Sequence, residues 1–156
     1  MRRFYALVAF AAMLAADRLT KIWATRLPEP GPFSFGSILT TTHHHNFGLI
    51  ANVPLPLLLI ILIVLGVMGF VMYALVIADK HQKTVDLIAL AFILAGAAGN
   101  LWDRVTLGYV FDWILVYQLS ILNLADISVG LGLIFFIWSQ TTKPRSLDTA
   151  QKIVQR

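Results

Sequence analysis

Cysteine is absent from the 156 residues. That excludes a disulfide framework, a thiolate metal site and a cysteine nucleophile. Charge is scarce as well: Asp, Glu, Lys and Arg together make up 13%, where a typical soluble domain carries about 25%. So few charges cannot coat a water-soluble surface. No long repeat, low-complexity tract or second domain is visible. What fills the chain instead is apolar, 58% from the set AVILMFWYC, with a mean hydropathy of +0.78. That richness excludes disorder, because disordered chains are poor in such residues. The net charge is +4 and the pI about 9.7. In an apolar chain, a few basic residues in short loops set membrane orientation, so no nucleic-acid partner is expected.

A helix needs roughly 20 mostly apolar residues to cross a bilayer. Residues 53–78 meet that without one charge, with Pro54 and Pro56 in the first turn, where a missing N–H is tolerated. Residues 84–102 form another stretch, with Asp86 and Asn100 near its ends, and residues 119–138 a further one that contains Asn123 and Asp126. At the N-terminus, Arg2 and Arg3 precede an apolar run from Phe4 to Ala16. That run has signal-peptide length, so cleavage is one reading. Helical spacing continues through Leu19, Ile22 and Trp23, which favours an uncleaved span over residues 4–24. The expectation is an all-α membrane protein with four transmembrane helices in one domain, residues 1–140, and a polar cytoplasmic tail over 141–156.

Loop charges orient it. Arg2, Arg3, Lys80, Lys83, Lys143, Arg145, Lys152 and Arg156 fall on one side, and Arg26 and Arg104 on the other. Arg18 and Lys21 sit at a span end and are left aside. Eight against two places both termini in the cytoplasm. Two segments then face outward. Residues 25–52 carry Pro28, Pro30 and Pro32, and the β-branched stretch from Ile38 to Thr42 predicts a small sheet. Residues 103–118 are aromatic and apolar, which suits a segment lying at the membrane surface. Trp23, Trp102, Trp113 and Trp138 fall near span ends and read as interfacial anchors.

Acids at membrane depth are costly, so each asks for a reason. Asp17, Asp103, Asp112 and Asp126 cluster near the outer boundary. Asn100 and Asp103 lie three apart, as do Asn123 and Asp126, which puts each pair on one helical face. Antiparallel neighbours would bring these faces together. Counted from Leu119, Asp126 would be roughly 10 Å into the fourth helix, with Asp112 lowered onto it by the connecting segment. Two carboxylates in a low-dielectric site share one proton. A base beside an acid is what activating water against an amide requires. Such residues also simply pair and hold helices together. Asp17 fits that role with Lys21 four residues on, and Asp103 fits it with Arg104 as one possible partner. For Asp112 and Asp126, spacing alone leaves dyad and structural pairing both open.

His43, His44 and His45 are consecutive. On a strand they alternate faces and do not share one ion, so no metal site is expected. Gly66 with Gly69, and Gly96 with Gly99, read as places of close helix approach.

Together these motifs resemble the lipoprotein signal peptidase family, signal peptidase II, over residues 17–132. Asp17-Arg-Leu-Thr20-Lys21 is similar to its D-x-x-T-K, and Asn46-Phe-Gly48 to its N-x-G. Gly99-Asn100-Leu-Trp-Asp103-Arg104 followed by Gly108-Tyr-Val110-Phe-Asp112 is similar to its longest motif, and Asn123-Leu-Ala125-Asp126 to its N-x-A-D, with Gly132 also in place. The resemblance implies an intramembrane aspartyl endopeptidase without cofactor or metal. Its substrates would be bacterial prolipoproteins with a diacylglyceryl-modified cysteine, cut just before that residue. It implies Asp112 and Asp126 as the catalytic pair, and Asn46, Gly48, Asn100, Arg104 and Asn123 as substrate-binding. Asp17, Lys21 and Asp103 would be structural. It also implies a small extracytoplasmic sheet, a short surface helix, a monomer in contact with membrane lipid, and the bacterial inner membrane as location. Ala51, Trp113 and Leu122 depart from the family's usual Phe, which bears on substrate fit. The competing reading is a small proton- or cation-coupled transporter using the same acids.

Overall fold

The computed structural model describes residues 1–142 except 30, 37, 49–52 and 54. Pro30, Ala51, Pro54 and the tail with Lys143, Arg145, Lys152 and Arg156 therefore lie outside the described residues. The order of elements is α1 (Arg2–Ala24), β1 (Ser34–Phe35), β2 (Leu39–Asn46), α2 (Leu57–Lys80), α3 (Thr84–Leu107), β3 (Val110–Val116), β4 (Ser120–Leu122) and α4 (Leu124–Thr141). The described part is mostly helical, and α2, α3 and α4 are long and apolar enough to cross a membrane.

α3 is the hub, packed against each of the other three helices. Its sequence shows why. Ala89, Ala91, Ala95, Gly96 and Gly99 are all buried, and small side chains let neighbouring backbones come close. A Cβ on Gly96 would stand 2.3 Å from the Ala125 carbonyl oxygen, and one on Gly132 would stand 2.6 Å from that of Ala89. Gly66 and Gly69 differ: an added Cβ meets nothing within 4 Å, so the expected close approach does not occur there. α2 turns large apolar side chains such as Leu58, Phe70 and Tyr73 outward, as lipid contact allows and water does not. At one end of the bundle Arg3 donates to Asp79 at 2.8 Å, tying α1 to α2. Ser139 donates to the buried Asp86, tying α4 to α3.

The sheet is built from two separated segments in the order β1-β2-β3-β4, all antiparallel. Residues 103–118 contain no surface helix. α3 continues past Asp103 to Leu107 and stops at Gly108, which has φ +84°, the left-handed ending that glycine accepts without strain. The chain then becomes β3, and no separate short helix occurs among the described residues. Three helix ends differ from the expected spans by four residues or more. α3 outruns residue 102 because Asp103 and Arg104 are buried rather than solvated. α2 starts at Leu57, with Pro56 as its N-cap. α4 starts at Leu124 rather than at residue 119, because Tyr117 and Gln118 turn the chain at φ 49° and 55° and Ser120–Leu122 pairs with β3. A short apolar run such as Ile121-Leu122 serves a strand or a helix equally well.

Candidate active site

The charges that the sequence places near one boundary separate into two groups. The first is an ion cage between α1 and α3. Arg18 donates to Asp103 at 2.6 Å and to Asp17 at 2.5 Å. Lys21 donates to Asp103 at 2.7 Å and lies 3.2 Å from Asp17. Two acids face two cations, so the cage is neutral. Asp17 also accepts the Ala125 backbone N–H at 3.0 Å, and Asp103 accepts that of Phe111 at 3.3 Å, which ties α4 and β3 to the cage. Asp103 is thus paired with Arg18 and Lys21, not with Arg104. Arg18 is the member that sequence reasoning leaves aside. Its signal is its place one residue after a buried acid on a helix already carrying Lys21.

The second group is built around Asp112 and Asp126. β3 presents Asp112, whose Cα pairs with that of His44 on β2. Asn46, two residues on and so on the same face, donates its amide to Asp112 Oδ2 at 3.1 Å, while its oxygen accepts the Gly48 N–H at 3.0 Å. Asp126 arrives differently from the sequence expectation. It is not two turns into a helix but the third residue of α4, in a capping box with Asn123. The Asp126 N–H donates to Asn123 Oδ1 at 3.0 Å and the Asn123 N–H to Asp126 Oδ2 at 3.1 Å. Asn123 is fully buried. Its Nδ2 donates to Asp112 Oδ1 at 2.6 Å and to Asn100 Oδ1 at 3.0 Å, and Asn100 Nδ2 donates to Asp126 Oδ1 at 2.8 Å. One residue, Asn123, therefore holds both acids: its side chain donates to Asp112, and its backbone N–H donates to Asp126. Each of the four carboxylate oxygens accepts a hydrogen bond.

Asp112 is 1% exposed. Burial, with the nearby Asp126 charge adding to it, pushes its carboxyl up to about 6. Between the ordinary aspartate range and that value it keeps its proton while the site remains folded. A site that works with one shared proton loses it as pH rises through that point. The pH profile of kcat/KM, which reports the free enzyme, should therefore fall on its alkaline side with a midpoint near 6. A profile flat from pH 5 to about 9 would contradict this.

Both acids open onto a groove of about 940 Å³ lined by α2, α3, α4 and the sheet, among them Ile63, Val67, Val129, Ile121 and Leu122. Arg104 lines it too and donates to the Gly48 carbonyl at 2.9 Å. Its walls are apolar away from the acids, a shape for an apolar segment whose polar backbone is presented at one point. His44 faces this groove, a residue that sequence reasoning does not single out for the site. The signal is its position two residues before Asn46 on a strand.

The other sheet face is aromatic. His45 stacks on Tyr109 at 4.2 Å, and His43 lies against Phe111 at 5.4 Å. Trp113 meets Trp23 edge to face at 5.5 Å, and Trp23, Trp102 and Trp138 are all exposed. The three histidines alternate between faces, and the described residues contain no cluster of three His, Cys, Asp or Glu that could hold a metal.

Comparison with known proteins identifies the family. The family described as Signal peptidase (SPase) II matches residues 9–142. A lipoprotein signal peptidase of Dehalococcoides mccartyi (strain CBDB1) is 37% identical over 139 residues, covering 81% of this chain and 82% of its own. One from Teredinibacter turnerae is 30% identical over 138 residues, covering 81% and 80%. A bacterial membrane enzyme solved by the in meso method at 2.3 Å superposes with a TM-score of 0.78 at 25% identity, over 90% of this chain and 93% of that one. A family match over most of the chain, joined to a relative 37% identical over 82% of its own length, places this chain in the signal peptidase II family.

Proposed function

We propose that this chain is an intramembrane aspartyl endopeptidase that removes the signal peptide from diacylglyceryl-modified prolipoproteins, cutting before the lipidated cysteine. Family membership makes it an aspartic-type signal peptidase and a multi-pass membrane protein. The observation that carries the site assignment is the Asn123 bridge, which donates to Asp112 and caps the helix that bears Asp126. Asp112 and Asp126 are the catalytic pair: one accepts a proton from water, and the other protonates the carbonyl oxygen. Asn46, Gly48, Asn100, Arg104 and Asn123 orient the substrate backbone at the groove floor. Asp17, Lys21 and Asp103 hold α1, α3 and β3 in place. The transporter reading draws no support from the family.

In this reading α1 is the fourth span. Its ion cage lies at the outer boundary and its arginine-bearing start at the inner one. Both termini are cytoplasmic, the sheet is extracytoplasmic, and a monomer in the bacterial inner membrane meets its substrate and lipid from the side. Reporter fusions after Lys83 and after Arg156 should report cytoplasm, and one at Glu29 the outside. Agreement between the Glu29 and Lys83 fusions would remove the four-span topology. For the activity, purified enzyme in liposomes should cleave a diacylglyceryl prolipoprotein with chelator present. The same substrate without the lipid should react at least about tenfold slower, as expected when remote binding energy is lost. Equal rates for the two would remove the lipid-specific reading.

A further inference from the structure

Lys21 belongs to the ion cage, yet its Nζ also lies 3.3 Å from the side-chain oxygen of Asn100, the residue that donates to Asp126. An asparagine amide is nearly symmetric in shape, so its neighbours decide which end faces where. A lysine ammonium only donates, and the atom turned toward it must be oxygen. Asn123 Nδ2 points at the same oxygen at 3.0 Å, and Asn123 cannot turn over because its own Oδ1 accepts the Asp126 N–H. The Asn100 NH₂ is thereby left facing Asp126 at 2.8 Å. A cation on the amide oxygen also draws electron density from the nitrogen and strengthens its N–H groups as donors.

Asp112 is served differently. Its donors are the amides of Asn46 and Asn123. The Asn46 oxygen accepts the Gly48 N–H rather than an ammonium. Among the described residues, the other charged groups around the pair are Arg104 on α3, whose charge acts on both Asp126 and Asp112 and which donates to the carbonyls of Gly48 and Asn100, and Asp103, which is closed within the cage. His44 on β2 stands opposite Asp112. The Lys21 charge also reaches Asp112, but through space.

We propose that Lys21 is a positioning residue for the hydrolysis: through Asn100 it holds the negative charge of the pair on Asp126, making Asp126 the base and Asp112 the acid. This rests on the protease reading above and adds the division of roles to it. Asp126 takes a proton from water as the water oxygen bonds to the scissile carbon, and the carbonyl oxygen takes the Asp112 proton. On collapse the C–N bond breaks, the nitrogen takes the proton from Asp126, and the re-forming carbonyl returns one to Asp112. Both acids end as they began.

The test compares Lys21→Met with Arg18→Met, both assayed as folded, reconstituted enzyme on a diacylglyceryl prolipoprotein peptide. Both lose cage contacts, but only Lys21 touches Asn100. Lys21→Met should lower kcat by about 10- to 100-fold with KM within about threefold. It should also move the half-maximal pH by about one unit. Arg18→Met should keep kcat within about threefold and an unmoved profile. Adding Lys21→Met to Asn100→Ala should lower kcat no further than Asn100→Ala alone. Equal kcat losses for Lys21→Met and Arg18→Met with unmoved profiles, or additive losses with Asn100→Ala, would overturn the proposal. Should Lys21→Met not fold, Asp17→Asn/Lys21→Met keeps the cage neutral and is compared with Asp17→Asn by the same criteria. Failure of the unaltered enzyme to cut the peptide would instead defeat the protease reading.

Discussion

Asp112→Asn and Asp126→Asn should each lower cleavage of a diacylglyceryl prolipoprotein by at least about 10³-fold, the scale of losing a general acid or base. Substrate binding should stay within a few-fold. Both substitutions keep shape, and the amide introduced by Asp126→Asn would still offer an oxygen to the Asn123 N–H of the capping box, so α4 should keep its start. What is removed is the ability of the pair to hold one proton between two carboxylates. The double variant should be scarcely slower than either single one, because groups acting as a unit do not add. The measurement is single-turnover cleavage normalised to folded enzyme. More than about a tenth of the activity remaining in either single variant would place the chemistry elsewhere.

The largest effect on folding is expected at Asp103. Asp103→Ala leaves Arg18 and Lys21 facing Asp17 alone and strips the Phe111 N–H of its acceptor. An uncompensated buried charge of this kind costs about 3–5 kcal/mol. The yield of folded protein and its thermal stability in detergent should therefore collapse. Asp103→Asn, which keeps an oxygen for Phe111, should fall between. In both, turnover per folded molecule should drop far less than in the Asp112 and Asp126 variants. A stable but inactive Asp103→Asn enzyme would move Asp103 out of the cage and into the chemistry. Asp17→Ala should resemble Asp103→Ala, because Asp17 holds the Ala125 N–H at the first turn of α4.

The helices are legible because an apolar run without charges has few soluble alternatives, and α2 shows this best. Less legible is the hairpin before α4. Tyr117 and Gln118 occupy positive φ without the glycine or asparagine that advertises such a turn, so the strand Ser120–Leu122 looks like helix. The capping signature is present all the same, since Asn123 stands three residues before Asp126. Taken as a helix start rather than a mid-helix pair, it places Asp126 correctly. Residue spacing brings Asn100, Asn123 and Asp126 to one place. It does not show that Asp103, three residues after Asn100, turns toward α1 instead, because that choice is made by Arg18 and Lys21 across a helix interface. Nor does it separate the packed Gly96 from the open Gly69, which depends on which helix lies opposite.

The central claim is that Asp112 and Asp126 act together on one carbon. A crystal structure with a peptide whose scissile carbonyl is replaced by a secondary alcohol, a tetrahedral mimic of the hydrated amide, tests it most directly. The hydroxyl should lie within hydrogen-bond distance, about 2.5–3.0 Å, of one oxygen from each of the two carboxylates. A hydroxyl held by only one of them, or bound away from both with the peptide otherwise seated in the groove, would contradict it.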